Sequence, residues 1–243
     1  MLKKSYFVNE SEIRKYNIQN IEVNIEVTPH VFPPPKNNPI TSEYMKINGG
    51  ESVIDIGTGS GILAILAAKL GGIVSATDND KYALELSKKN ARENNVTISF
   101  ALGDYFASFH NKFDVIIGNL SQTILPPNYN KMPQLYRFVD GGKEGNTHII
   151  ELLKRAKKHM HKSSRLYVNI FTISDYQKTI ELMNNLYNVK ILAKQSEPVK
   201  EFVENNIDFY RSLEKTGKIK IYFDESENTW MAEQIFCELT LNN

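Results

Sequence analysis

The chain has 243 residues, 41% hydrophobic and 23% charged, a composition typical of a soluble protein with one sizeable core. Lys and Arg number 29 against 28 Asp and Glu, and this net charge of +1 gives no bulk reason to expect nucleic acid or a membrane surface as partner. One cysteine, Cys237, excludes an intramolecular disulfide, and no apolar stretch suits a membrane span or secretory signal, so we expect a cytoplasmic protein.

The first fifty residues differ from the rest, and we predict that residues 1–50 form an arm or lid. Apolar and polar residues alternate over Ile21–Val27, which predicts a half-buried strand. The next segment, Pro29–Pro35, is too rich in proline for a helix or a central strand. Because this part of the chain has few apolar anchors, we expect it to cover the core without forming a domain of its own.

From Ser52 onward, short apolar runs alternate with helical stretches. Most runs are continuously apolar, which suits strands that are covered on both faces. The predicted strands are Val53–Ile56, Ile73–Thr77, Ile98–Ala101, Phe113–Ile117, Arg165–Phe171, Val189–Ala193 and Glu233–Leu241. The predicted helices are Ile62–Leu70, Lys81–Asn94 with Asp80 as N-cap, Thr147–Met160 and Tyr176–Leu186.

This alternation predicts an α/β fold, a Rossmann-like and mostly parallel seven-stranded sheet with helices on both faces. We assign residues 51–243 to this domain. Residues 197–229 interrupt the pattern with a helical stretch, Pro198–Ser212, and a short strand, Ile219–Phe223. We expect an insertion there, before a final strand that runs antiparallel to its neighbours.

A glycine-rich loop leads from the first strand of this domain into its first helix. The loop contains Gly57, Thr58, Gly59 and Gly61. Glycines let a backbone turn tightly and approach a ligand, and the helix start offers free N–H groups. With Ala64, the last two glycines also satisfy a relaxed dinucleotide fingerprint, so the loop alone allows either a dinucleotide or S-adenosylmethionine.

Acidic residues at three strand ends favour S-adenosylmethionine. Asp55 precedes the first glycine by two positions, where a carboxylate suits a cationic ammonium and would repel a pyrophosphate. Asp78, followed by Asn79, stands after the second strand and is placed to accept hydrogen bonds from two ribose hydroxyls. Asp104 follows another strand and is placed to hold the adenine amino group.

The ensemble of motifs over Thr41–Leu120 resembles the class I S-adenosylmethionine-dependent methyltransferases. Asn119 follows the strand Phe113–Ile117, at the sheet edge where open α/β folds bind ligands. Here, and again in Pro39–Glu43 and Phe138–Gly145, the chain is similar to the branch that methylates glutamine amides in release factors and exocyclic amines of bases. The resemblance implies that Asn119 binds near the cofactor and acts as the catalytic residue that orients the acceptor.

The chain departs from that branch at the motif itself. It has Asn119, Leu120, Ser121 and Gln122 where the branch carries Asn-Pro-Pro-Tyr. In that branch, the prolines fix an extended backbone. A backbone carbonyl and the Asn side-chain oxygen then both accept hydrogen bonds from the target nitrogen, and the Tyr ring stacks on the amide or base. Leu120 and Ser121 do not impose that backbone, and Gln122 offers no ring for a stacking energy of ~1–3 kcal/mol per base.

Two further points favour a small substrate. Residues 1–50 do not supply the helical recognition domain of the release-factor enzymes. The Asn-x-x-Gln form, followed by Leu125-Pro126-Pro127-Asn128, is also similar to the methyltransferase module that makes S-methylmethionine in plants.

We therefore predict an S-adenosylmethionine-dependent methyltransferase that acts on a nitrogen of a small molecule. The predicted substrate contacts are Ser121, Gln122, His30 and Phe32, with His30 as the only general base worth testing. The arm, Thr123–Asn130 and the insertion would form the walls. No metal site is predicted, because the five histidines are scattered without carboxylate or cysteine companions.

Other functions stay open on the sequence alone. They are a protein glutamine or RNA methyltransferase, a small-molecule S- or O-methyltransferase, and a non-catalytic sensor of S-adenosylmethionine. A nicotinamide oxidoreductase is disfavoured by Asp55. The basic run from Lys154 to Arg165 is interpreted as a solvated face, with an RNA contact as the alternative, and the sequence indicates no oligomeric state.

Overall fold

The structure is a computed structural model, and it describes residues 8–127 and 138–242. The strands are β1 (Glu12–Ile18), β2 (Ile21–Val27), β3 (Ser52–Ile56), β4 (Ile73–Asp78), β5 (Ile98–Leu102), β6 (Phe113–Gly118), β7 (Met160–Phe171), β8 (Tyr187–Pro198), β9 (Ile221–Asp224) and β10 (Thr229–Leu241). The helices are α1 (Ile40–Tyr44), α2 (Ile62–Lys69), α3 (Lys81–Glu93), α4 (Thr147–Ala156), α5 (Tyr176–Leu186), α6 (Glu201–Glu204) and α7 (Ile207–Lys215), and a 3₁₀ turn, Lys157–His159, joins α4 to β7.

The main sheet has the strand order β5-β4-β3-β6-β7-β10-β8, with the short β9 paired to β10. The pairs among β5, β4, β3, β6 and β7 are parallel. β10 is antiparallel to β7, β8 and β9. The predicted Rossmann-like, mostly parallel sheet is confirmed, and so is the antiparallel final strand.

Helices cover both faces of this sheet. One core layer contains α2 residues and Ile117, and the other contains α4 residues, Met183 of α5 and Ile116. Neighbouring residues of β6 thus enter different layers, as expected for a strand that is covered on both sides. β7 and β8 are longer than predicted because most residues of their added ends are polar or exposed, which an apolar pattern does not reveal. β10 begins four residues earlier than predicted, at Thr229, although the added residues include Trp230, Met231 and Ala232.

The first fifty residues contain a β-hairpin that is part of the core. β1 pairs with β2 in antiparallel register. The inner face of the hairpin buries Tyr16, Ile18, Val23, Ile25 and Val27 in the layer that contains α2. The prediction of few apolar anchors is therefore wrong. β1 was missed because only two of its seven side chains are buried and its third large apolar residue, Ile13, lies on the opposite, exposed face.

Two asparagines, Asn90 of α3 and Asn94 directly after it, join the hairpin to the domain. The side chain of Asn90 accepts from Glu26 N at 2.9 Å and donates to Glu26 O at 3.0 Å, so it pairs with β2 as a strand would. The same Nδ2 donates to Ser60 O at 2.8 Å, within the glycine loop. Asn94 forms a second such pair with Asn24 of β2.

The region predicted as an insertion packs against the segment that follows β6. The predicted helix Pro198–Ser212 is divided into α6 and α7, and Pro198 still belongs to β8. The Tyr210 hydroxyl donates to the backbone oxygen of Ile124 at 2.8 Å. Among the described residues, no helix is long and apolar enough to cross a membrane.

Candidate active site

The glycine loop lies at the carboxyl ends of β3 and β4. The N–H groups of Gly57 and Thr58 both donate to Thr77 O, at 2.9 and 3.0 Å, which fixes the loop against β4. Gly57 has a φ of +69°, and a Cβ there would lie 2.7 Å from a methyl carbon of Leu120. A glycine is therefore required where the loop meets the segment after β6.

Asp55 lies beneath this loop and is 1% exposed. Its carboxylate accepts a hydrogen bond from Thr58 Oγ1 at 2.7 Å. Burial, with a smaller contribution from the charge of Asp78, raises the pKa of Asp55 to about 7. The group therefore stands close to half-ionised at neutral pH.

Asp78 ends β4 and holds the loop from the other side. Its Oδ2 accepts from Gly59 N and its Oδ1 from Asp80 N, both at 2.9 Å. Burial raises its pKa above the ordinary value, against the effect of these two hydrogen bonds. Since a carboxylate oxygen has more than one acceptor site, both oxygens can accept a further hydrogen bond from a ligand.

The ends of β4 and β5 also meet. Asn79 Nδ2 donates to Asp104 Oδ1 at 2.9 Å, and both side chains are exposed. Gly103 N donates to Asp78 O at 2.9 Å. The predicted cofactor residues Asp55, Asp78 and Asp104 thus come together at one edge, although 49 positions separate the first from the last in the chain.

Asn119 follows the last residue of β6 and is exposed at the same sheet edge. Leu120 lies against Gly57, and Ser121 Oγ donates to Phe138 O at 2.8 Å. The motif after β6 is therefore adjacent to the glycine loop. The predicted wall Thr123–Asn130 is described only as far as residue 127, and its last three residues lie outside the described ranges.

Gln122, a predicted substrate contact, is 3% exposed. Its Nε2 donates to Asn169 O at 2.5 Å, and its Oε1 accepts from Phe171 N at 3.4 Å. The side chain therefore joins the segment after β6 to β7, an arrangement that fits a structural role. The motif spacing did not indicate this because spacing does not show burial.

The two predicted contacts in the arm lie in different places. His30 is exposed and lies beside Tyr82 of α3, with ring centroids 5.9 Å apart, in a cleft between the hairpin and α3. Phe32 instead packs on Phe138, at 6.4 Å, and below Lys200 Nζ, at 4.5 Å from its ring centroid. Only Phe32 is joined by these contacts to the segment that holds Ser121.

A chain of buried and half-buried polar groups, not predicted from the sequence, lies next to Gln122. Asn169 of β7 is 2% exposed, and its Nδ2 donates to Gln234 Oε1 at 2.6 Å. The Gln234 amide in turn bonds the carboxylate of Glu197, whose pKa is raised by burial and lowered by this bond and by Lys200. Burial lowers the pKa of Lys200 to about 8. Asn169, a polar residue within the largely apolar run Arg165–Phe171, was a sequence signal that could have indicated this cluster.

The comparisons with known proteins agree with this arrangement. A family model described as ribosomal protein L11 methyltransferase (PrmA) matches residues 41–179, more than half of the chain. The chain belongs to this family. As a PrmA-family member it is a class I methyltransferase that uses S-adenosylmethionine as methyl donor, and the matched residues run from α1 into α5.

Two relatives illustrate how far the sequence similarity extends. A protein of Methanocaldococcus jannaschii, described as a protein N5-glutamine methyltransferase, is 28% identical over 188 residues, 76% of this chain and 94% of the relative. A ribosomal protein L11 methyltransferase of Dictyoglomus turgidum is 43% identical over 90 residues, 36% of this chain. The chain spans only 29% of the length of that second relative.

Solved structures show the same fold at low sequence identity. The 16S rRNA N2 methyltransferase RsmC of T. thermophilus, in complex with AdoMet and guanosine, has a TM-score of 0.59 at 15% identity, covering 97% of this chain and 52% of that one. A precorrin-6y C5,15-methyltransferase of Geobacter metallireducens has a TM-score of 0.52 at 11% identity, covering 84% of this chain and 86% of that one. At such identities the likeness establishes the fold alone.

The chemistry of the edge fits S-adenosylmethionine. This cofactor carries an ammonium group, two ribose hydroxyls and an adenine amino group, all of them cations or hydrogen-bond donors. The edge offers Asp55, Asp78 and Asp104, whose carboxylates are acceptors. A Cβ built on Gly59 would meet no atom within 4 Å, so the middle of the loop borders open space.

Proposed function

We propose that this methyltransferase transfers the methyl group to a nitrogen atom of a protein. The observation that carries the choice of nitrogen is the exposed Asn119 at the end of β6, next to the glycine loop through Leu120. An amide oxygen accepts a hydrogen bond from an N–H group, and it stabilises positive charge that develops on that nitrogen.

Two observations support a protein as acceptor. The relatives named above are described as methyltransferases of protein glutamine and of ribosomal protein L11. Asn119 also lies at an exposed edge, which a side chain of a large partner can reach.

Of the predicted cofactor residues, we propose that Asp55, Gly57, Thr58, Gly59, Gly61, Asp78, Asn79 and Asp104 bind the cofactor, and that Asn119 borders it while it orients the acceptor. S-adenosylmethionine supplies a methyl group on a sulfonium, which is already an activated donor. Asp78 would accept from the ribose hydroxyls, Asp104 from the adenine amino group, and Asp55 would favour the ammonium through its charge beneath the loop. The protein then contributes mainly by orienting the acceptor and excluding water.

We also propose that residues 1–50 and 197–229 flank the acceptor site of the catalytic domain, residues 51–243. Phe32 of the arm and Ser121 would contact the acceptor, since both lie against Phe138. His30 is not assigned a role as base, because its contact is with Tyr82 on the flank of α3.

The test is incubation of the protein with methyl-labelled S-adenosylmethionine and a cell extract, which is then separated into protein, RNA and small molecules. We expect label in the protein pool, on nitrogen after hydrolysis. Label on oxygen or sulfur would contradict the role of Asn119. Bound cofactor without label in any pool would contradict catalysis and favour a sensor.

A second candidate is a small-molecule N-methyltransferase. It is favoured by the absence of an aromatic ring in the segment Asn119–Gln122, where the similar glutamine and base methyltransferases carry a stacking Tyr. Label confined to the small-molecule pool would establish this candidate instead of the first.

A further inference from the structure

Asn169 stands beside Asn119 at the carboxyl edge of the sheet. β6 and β7 are parallel, with Gly118 opposite Val168, so Asn119, which follows the last residue of β6, and Asn169 of β7 each come directly after this pair. Val168 and Ile170 pack in the core layer of α4. Since side chains alternate along a strand, Asn169 faces the other side, where the layer contains the hairpin and α2.

The side-chain amide of Asn169 is held in one orientation. The hydrogen bond between Gln234 and Glu197 lowers the pKa of that carboxyl against the effect of burial, as expected when the NH₂ group of Gln234 donates to the carboxylate. The oxygen of Gln234 is thereby left to accept from Asn169 Nδ2, at 2.6 Å. The remaining polar atom of Asn169, its Oδ1, can act only as an acceptor.

This oxygen is sealed from solvent and has no hydrogen-bond partner among the described residues. Leaving a buried acceptor without a donor costs free energy comparable to a lost hydrogen bond, so native proteins rarely keep one without a reason. Leu120 O, the backbone oxygen where the similar glutamine and base methyltransferases carry their first proline, accepts from Gln122 Nε2, at 3.4 Å. An acceptor other than this backbone oxygen is therefore available beside Asn119.

We propose that Asn169, oriented by Gln234 and Glu197, is a second hydrogen-bond acceptor for the target nitrogen and selects acceptors with a primary NH₂ group. The inference rests on the proposed methylation of nitrogen. Two in-plane hydrogen bonds, to Asn119 and Asn169, fix the plane of an amide NH₂ group and leave its lone pair perpendicular to that plane. Because the Asn169 oxygen is sealed from solvent in the structure, the proposal requires that it become exposed when the acceptor binds.

Product specificity follows from the same two acceptors. In the transfer, the nitrogen forms a bond to the methyl carbon as the sulfur–methyl bond of the cofactor breaks, and one N–H proton leaves to water. The product retains one N–H group and can satisfy only one of the two asparagines. Methylation therefore stops after one methyl group.

The first test compares Asn169→Leu with the wild type and with a matched control, Asn24→Leu. Asn24 also has a buried Oδ1 without a partner among the described residues, but it lies in β2 against α3. The assay is the initial rate of transfer from methyl-labelled S-adenosylmethionine into the protein pool. We expect Asn169→Leu to lower the rate about tenfold or more. Cofactor affinity should stay within about twofold of wild type, and Asn24→Leu should keep the wild-type rate.

The second test uses Glu197→Gln, which keeps the volume and removes the charge that orients the amides. We expect a rate about threefold to tenfold lower, and a larger share of dimethylated nitrogen in the hydrolysate as measured by mass spectrometry. A purely structural Asn169, for example one satisfied by a buried water, would not change that share.

The failures of the two proposals are distinguishable. Nitrogen label at the wild-type rate and with wild-type product in both variants would overturn the role of Asn169 and leave the proposed function intact. Label on oxygen or sulfur would overturn both. Should Asn169→Leu not fold, Glu197→Gln decides.

Discussion

At the ends of β3, β4 and β5, the site consists of backbone N–H groups and carboxylates that lie within 25 positions of their hydrogen-bond partners. At the ends of β6 and β7, it consists of side chains that reach partners 47 and 65 positions away. We call these two parts of the carboxyl edge of the sheet the first edge (the ends of β3, β4 and β5) and the second edge (the ends of β6 and β7). The geometry of the first edge is determined by the local loops, and that of the second edge by tertiary packing. We therefore expect substitutions at the first edge to change cofactor affinity, and those at the second to change turnover or stability.

The largest effect is expected for Asn119→Ala at the second edge. Loss of the oriented acceptor should lower turnover by about 100-fold, with little change in cofactor affinity, because the transition-state charge loses its partner. The exposed Asn111, at the other end of β6, is the matched control, and Asn111→Ala should retain full turnover. Equal losses of turnover and affinity in Asn119→Ala would contradict the division between the two edges.

A somewhat smaller effect is expected for Asp78→Ala at the first edge. The Gly59 and Asp80 N–H groups lose their acceptor, and so would the ribose hydroxyls, which should weaken cofactor binding about 30-fold to 100-fold by calorimetry. Asp114→Asn is the control. Asp114 accepts from Ser52 at the opposite end of β3, so its substitution should leave affinity unchanged.

The pH dependence of Asp55 refines the description of the first edge. Its pKa is raised in the folded protein from 3.8 to about 7, so the folded chain binds more protons than the unfolded chain between these values. The free energy of unfolding without cofactor should therefore fall as pH rises from about 4 to about 7, by at most about 1.4 kcal/mol per pH unit. Conversely, an ionised Asp55 favours the ammonium, so cofactor affinity should rise up to about tenfold from pH 6 to pH 8.

Asp55→Asn tests both predicted pH dependences, that of the free energy of unfolding and that of cofactor affinity. With no titrating carboxyl at this position, its unfolding free energy and its cofactor affinity should each lose the corresponding pH dependence. If both pH dependences persisted in the variant, they would have to come from another titrating group.

The smallest effect on activity is expected for Gln122→Leu at the second edge. The buried Asn169 O would lose the hydrogen bond from Gln122 Nε2, which should lower the free energy of unfolding by about 1–3 kcal/mol in urea. Turnover per folded molecule should change little. Were Gln122 instead a direct substrate contact, KM would rise while the unfolding curve stayed unchanged.

The sequence was sufficient for the sheet and for the position of each predicted residue along the first edge, since strand ends and glycines are local signals. It identified Asn119 for the same reason. It did not reveal the burial of Gln122 or the contact of Asn169 with Gln234, because partners 65 positions apart leave no local pattern. β1 was missed because only Tyr16 and Ile18 of its seven residues are buried, which is too short a pattern to recognise in the sequence.

The shared hydrogen bonds of Asn90 couple two distant parts of the chain. One side chain bonds both the backbone of β2 and Ser60 O within the glycine loop. A ligand that orders the loop therefore also restrains the hairpin, and a frayed hairpin weakens the support of the loop. Occupancy of the cofactor site and resistance of the hairpin to proteolysis should therefore rise together.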